Sequence, residues 1–242
     1  MTDEVRALSS LQGTWVVMRR ELRALLQDRR SVTMMLIFGL LLPIVIANSA
    51  GRVRGKPEVI LGLLTEVLVF PYIAGLQAAL TAFVGEREHG TLGPLLATPL
   101  SNTSIFAGKL LGAAYIPSLV TSAVSFVAFI GFLRGKPGDP FSVVTHTILT
   151  EMVALSLVAG FTMVALGLLI GSKAKSVRGA QAITAVVVFP VIFGVQLLAL
   201  IVVDHSAVFA WGVLAGLVMA IIAGLVLAAR MWNREEALVS TG

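Results

Sequence analysis

Apolar residues run in long blocks through most of this chain, and short polar stretches separate the blocks. A helix needs about 20 apolar residues to cross a bilayer's hydrocarbon core. By that measure the pattern predicts six spans, at residues 31–49, 59–84, 105–133, 142–171, 180–203 and 207–229. The blocks are too continuous for a membrane β-barrel, whose strands alternate over roughly ten residues. The expected fold class is therefore an all-α integral membrane protein. Pro43, Pro71, Pro117 and Pro190 fall inside blocks, where a missing N–H and a ring clash kink a helix or end its regular part. Ahead of the first block, residues 14–30 have helical amphipathic spacing. Trp15, Met18, Leu22, Leu25 and Leu26 fall within about 100° of arc, with Arg20, Arg23, Gln27 and Arg30 beside them. A basic amphipathic helix of this kind suits the membrane surface, and Trp15, Arg19, Arg20 and Arg23 are its interfacial candidates. The other reading is a helix that packs on something else.

Composition agrees with the pattern. The 242 residues are 57% hydrophobic and 13% charged, against about 25% charged in soluble domains. Mean hydropathy is +0.94. The net charge of +5 reads as topology. Thirteen of the 18 Lys and Arg lie in the N-terminal segment, the 85–109 loop, the 172–179 loop and the tail. Positive charge marks the cytoplasmic side, so both termini and the 85–109 loop are expected in the cytoplasm of a multi-pass cell-membrane protein. Arg52, Arg54 and Lys56, on the first opposite loop, run against the rule. Expected segments are a cytoplasmic N-terminus (1–30), a membrane domain (31–229) and a cytoplasmic tail (230–242). The start of the chain does not have the form of a signal peptide. Gly108/Gly112, Gly167/Gly171 and Gly212/Gly216 are spaced four apart, which sets each pair on one helical face for close packing.

Several chemistries are missing from the sequence. There is no cysteine, hence no disulfide or thiol nucleophile. No long basic run points to nucleic acid. No phosphate-binding G-x-x-x-x-G-K-[ST], H-E-x-x-H or G-x-S-x-G occurs. His89, His146 and His205 are scattered, which argues against a metal site. Uphill transport by this chain would draw on an ion gradient or another subunit. Glu66 and Glu151 lie inside apolar blocks, where a charge costs about 2.5–3.5 kcal/mol or more. With Gln77 they are candidates for a translocation path, or else they make hydrogen bonds between helices. An intramembrane enzyme would need Glu66, His146 and Glu151 to converge.

The most polar interruption of the middle of the chain is 85–112, GEREHGTLGPLLATPLSNTSIFAGKLLG. Glu86, Arg87, Glu88 and His89 follow the second block. Gly90-Thr91 is a helix breaker, and Pro94 is tolerated in a first helical turn. Leu92, Leu95 and Leu96 form a short apolar ridge that Thr98-Pro99 stops. Read from the residues alone, this is either an ordinary polar loop or a short helix offering its ridge to a partner.

The order of these features resembles the signature of ABC-2 type transporter permeases, the membrane subunits of many bacterial and archaeal exporters. In that family an acidic segment (here Glu86/Glu88) is followed by Gly-Thr (Gly90-Thr91), a leucine-rich turn (Leu95-Leu96), Thr-Pro (Thr98-Pro99) and Gly-Lys (Gly108-Lys109). Length, six spans and the basic lead-in helix with Glu21, Leu22 and Arg23 fit as well. Gly93-Pro94 departs from the pattern and implies a shorter docking helix. The resemblance implies a six-span permease fold of the type V exporter kind. The chain itself would be non-catalytic and carry no cofactor, with ATP and Mg on separate ATPase subunits. It would pair with a second permease, as homodimer or heterodimer, around an unknown substrate. The loop 85–104 would be the coupling element, with Glu86, Glu88, Gly90, Thr91, Leu95, Thr98, Pro99 and Lys109 as its residues, and the lead-in helix would also meet the ATPase. Pro71 and Pro117 would serve as hinges. A heme-exporter-like subunit has similar size and architecture. On this reading, removing both Glu86 and Glu88 carboxylates uncouples transport and leaves the membrane fold intact.

Overall fold

The computed structural model describes residues 10–50, 57–134, 146–174 and 176–182, with positions 194, 211–212, 215–216 and 219 beyond them. Apart from residues 180–182 and those isolated positions, the expected fifth and sixth spans lie outside the described residues, as do the tail 230–242 and residues 135–145. Within the described residues every regular element is helical, and four helical segments are long and apolar enough to cross a membrane: Arg29–Asn48, Gly62–Glu88, Asn102–Leu133 and Ile148–Lys173.

The lead-in helix α1 (Ser10–Gln27) hands over to α2 (Arg29–Leu36) at Asp28. The Asp28 carboxylate accepts the N–H groups of Arg30 and Ser31 and the Ser31 hydroxyl, a capping arrangement that satisfies donors left open at a helix start. These bonds, led by the Ser31 hydroxyl, hold the Asp28 carboxyl below its usual range. The first span continues through a π-helical turn (Ile37–Leu41) into α3 (Leu42–Ala50). In the second span α4 (Pro57–Val69) joins α5 (Pro71–Glu88) through Phe70, whose backbone stays helical, with Pro71 in the first position of α5. A five-residue helix, α6 (Leu92–Leu96), leads to α7 (Asn102–Lys109), a second π-helical turn (Leu110–Tyr115) and α8 (Ile116–Arg134). Last comes α9 (His146–Lys173).

Both π-helical turns sit just ahead of a proline. The N–H of Leu42 bonds the Ile37 carbonyl and that of Ile116 bonds Leu111, five residues back instead of four. The wider turn eases the clash between each proline ring, at Pro43 and Pro117, and the carbonyl four residues before it. Carbonyls disturbed in this way need new donors, because the bilayer core holds no water. A serine of α8 supplies one: the hydroxyl of Ser125 donates to Phe38 O (2.8 Å), and that of Ser122 likewise donates to Leu68 O (2.7 Å), three residues before Pro71. The regular part of the first span does end near Pro43, as expected, yet the helix continues beyond it.

Two of the three predicted glycine pairs are close contacts. A side chain at Gly167 or Gly171 would start 2.5 Å from Leu76 Cδ1 or 2.4 Å from Leu80 O, and one at Gly160 would strike the Tyr72 ring. Residues 72, 76 and 80 thus meet 160, 167 and 171 in rising order. Helices α5 and α9 run parallel, and their Glu88 and Lys173 ends lie at the same end of the bundle. The second seam joins α7 to α1: a side chain at Gly108 would start 2.5 Å from Val17 Cβ, and one at Gly112 2.4 Å from Met18 O. Gly212 and Gly216 meet no described atom within 4 Å.

Candidate coupling site

Glu86, Arg87 and Glu88 do not begin a loop. They form the last turn of α5, and the chain turns only after them. His89 caps the helix and Gly90 takes a left-handed φ of 70°. The N–H of Thr91 reaches back to Glu86 O (2.8 Å) and that of Gly90 to Arg87 O (3.1 Å). This pair of bonds is the Schellman termination, which needs the residue least averse to positive φ. A side chain at Gly90 would meet nothing within 4 Å, so its cost lies wholly in the backbone. Gly90→Ala is expected to destabilise the chain by about 1–2 kcal/mol, read as thermal unfolding of the purified protein. Gly90→Asn should lose less, because Asn tolerates this conformation.

Successive helical residues point about 100° apart, so the three charges before Gly90 reach three different elements. Glu86 faces α1 and α7. Arg87 donates through Nη2 to Ser172 O (3.0 Å) and through Nη1 to Ala174 O, closing the carbonyl end of α9. Glu88 Oε1 accepts the N–H of Val177 (3.2 Å), at the start of the helical turn 177–182. The polar cluster is a clamp at the end of the bundle.

Its deepest member is Lys109, whose side chain is wholly buried. Its Nζ donates to Glu21 Oε1 (3.0 Å) and Ala82 O (2.9 Å) and lies 3.0 Å from Glu86 Oε1. The three partners match the three donors of an ammonium group. The Phe83 ring lies 5.2 Å away, beneath the charge. Glu86 Oε1 also receives Arg20 Nη2 at 3.0 Å. Two cations and two carboxylates thereby balance, which a buried charge requires. Because Lys109 is buried and Glu86 is 13% exposed, these two residues brace the site from within and are not free surface for a partner. The expectation that removing Glu86 and Glu88 leaves the fold intact is corrected on the same ground: Glu86→Ala takes a counter-charge from a buried lysine.

The apolar ridge is also corrected. Leu92 and Leu95 are buried, at 3% and 6% exposure, in the main hydrophobic cluster. They anchor α6 to the protein instead of facing outward. Thr91, Gly93, Pro94, Ala97 and Pro99 are exposed and Thr98 is half-buried. Thr98 donates its hydroxyl to Leu95 O (2.6 Å), and Ser101 restarts the helix by accepting the Ser104 N–H. The outward tip is small, rigid and uncharged. The short helix implied by Gly93-Pro94 is present, at five residues.

Helix α1 differs from a simple amphipathic strip. Gly13, Val17 and Met18 are buried against α7 and the turn after it, whereas Leu11, Trp15 and Leu26 are exposed, as are Arg19 and Arg23. The contacts advance together from Gly13 at Ser104 to Met18 at Gly112, so α1 runs alongside α7. Glu21 was not singled out as a site residue by sequence reasoning. Its spacing of four from Val17 and eight from Gly13 was the available signal, because it sets Glu21 on the small-residue face.

Of the possible path residues, Gln77 is exposed on α5, Glu66 is half-buried on α4, and Glu151 is buried in α9 with Oε1 lacking a hydrogen-bond partner among the described residues. His146 opens α9. No group of three His, Asp or Glu suited to a metal occurs among the described residues.

Four helical segments of spanning length, tied together at one end by charges, describe a multi-pass membrane protein. The chain belongs to the ABC-2 family of transporter proteins, which it matches over residues 15–212. It is similar to the probable ABC transporter permease protein NosY of Pseudomonas aeruginosa, with 29% identity over 199 residues, covering 79% of this chain and 72% of that relative.

Proposed function

We propose that this chain is the permease of an exporter in which separate ATPase subunits, carrying ATP and Mg, press on the tip of α6. Both termini and this tip face the cytoplasm, and two permease chains enclose the substrate path between them. The observation that carries the reading is the division of labour at residues 86–99. Leu92, Leu95, Glu86 and Lys109 face inward and Arg87 reaches α9, which fixes the tip to α1, α5, α7 and α9, while Gly93, Pro94, Ala97 and Pro99 face outward. A displacement applied at such a tip passes into rigid elements and is not lost in a flexible loop. The exposed stripe of Leu11, Trp15 and Leu26, with Arg19 and Arg23 beside it, suits the lipid–water boundary. In this reading Glu86 and Lys109 act as positioning residues, and Pro71 and the widened turn before Pro117 serve as hinges.

The test is purification of the full-length tagged chain from its own membrane, followed by assay for ATP hydrolysis in the eluted complex. A co-eluting ATPase subunit whose activity responds to reconstitution with the permease is the expected result. A stable permease preparation with neither would overturn the assignment.

A further inference from the structure

A cleft of about 730 Å3 lies between α2, α5 and the start of α8, with Val177 and Gln181 also lining it. Its size falls in the range of about 300–1,000 Å3 typical of small-molecule sites. The two long walls differ in chemistry. Met34, Met35 and Phe38 of the first span make one wall apolar. Opposite them, Gln77 and Thr81 stand one helical turn apart on α5, both exposed. Thr81 donates its hydroxyl to carbonyls of its own helix, whereas the Gln77 amide has no hydrogen-bond partner among the described residues. Arg30 stands at the mouth next to Asp28. The Asp28 carboxylate is engaged in capping α2, and Arg30 forms no ion pair with a carboxylate among the described residues. From Arg30 to Phe38 the helix rises about 12 Å, somewhat under half of the ~30 Å hydrocarbon core.

We propose that this cleft binds an anionic phospholipid of the cytoplasmic leaflet, with its phosphate at Arg30 and an acyl chain along Met34, Met35 and Phe38. The inference rests on the permease reading and its orientation. A cation at the mouth with a hydrocarbon-lined wall behind it matches the order of groups in such a lipid. A free anion would leave the apolar wall uncovered, and a neutral hydrocarbon would offer nothing to the Arg30 charge or the Gln77 amide. Gln77 is placed to hydrogen-bond a headgroup that moves deeper along the polar wall.

The experiment is native mass spectrometry of the detergent-purified, full-length complex, offered phosphatidylglycerol and phosphatidylcholine in equal amounts. Phosphatidylglycerol should be retained about fivefold over phosphatidylcholine, the preference one basic side chain gives near a membrane surface. Arg30→Gln should abolish the preference and Arg30→Lys should keep it. Ala78→Trp, which fills the cleft from α5, should remove retention of both lipids. Equal retention by the unaltered protein, or a preference that survives either Arg30→Gln or Ala78→Trp, overturns the proposal. So does displacement of the lipid by inorganic phosphate, which would make this an anion site. The same preparations are scored for the ATPase subunit. Lipid selectivity lost with the ATPase retained removes the cleft assignment alone, whereas an absent ATPase removes the transporter reading.

Discussion

Lys109→Met is expected to cost about 3–5 kcal/mol of stability, the loss found when one partner is taken from a buried ion cluster. The methionine fills much of the lysine's volume, so the effect isolates the charge. Without the ammonium group, Glu21 and Glu86 face each other across a buried site with Arg20 alone, 52% exposed, to balance them. Helix α1 then loses the Lys109–Glu21 tie and keeps Arg20 on Glu86, the Ser104 hydroxyl on Ser10 O and the packing at Gly13, Gly108 and Gly112. Unfolding in mixed micelles measures the loss. Adding Glu21→Gln and Glu86→Gln to Lys109→Met should recover most of the stability, because the uncompensated charges are gone. A loss below about 1 kcal/mol, the range of exposed ion pairs, would show that the cluster does not hold α1.

Gly93→Arg should do the reverse, leaving the fold intact and breaking the proposed docking. A side chain at Gly93 meets nothing within 4 Å, and its φ is not positive. The helix therefore accepts arginine, and unfolding should change by no more than about 0.5 kcal/mol. At the centre of a docking surface the same guanidinium would be desolvated without a partner. ATPase capture should fall at least about tenfold, equivalent to about 1.4 kcal/mol. Capture unchanged by Gly93→Arg would mean that the ATPase does not sit on the α6 tip.

These two variants separate what Glu86 and Lys109 do from what the motif's spacing suggests. The string from Glu86 to Lys109 reads as one surface in sequence. In the folded chain Glu86, Leu92, Leu95 and Lys109 form an inner layer, and Gly93, Pro94, Ala97 and Pro99 an outer one. Side-chain polarity misleads here, because a charged residue is normally assigned to solvent. The exception arises when opposite charges from distant segments meet, as Glu21, Glu86 and Lys109 do across separations of 88 and 23 positions.

What the sequence determined by itself is whatever depends on local composition. Apolar runs of spanning length established the helical membrane class, and four of the six expected spans coincide with described helices, the fourth from residue 146 onward. Gly90 marked the end of α5 because its backbone requirement is local, and the glycine pairs 108/112 and 167/171 marked tight seams because helical spacing alone puts each pair on one face. The order of Glu86, Gly90-Thr91, Thr98-Pro99 and Gly108-Lys109 was enough to indicate the family. Only the tertiary structure decided which helix each seam meets, that α1 lies along α7, that Leu92 and Leu95 turn inward, and that Ser122 and Ser125 mend carbonyls of other helices. Each of these depends on a partner far away in the chain, and a pattern read along one helix carries no information about the face of another.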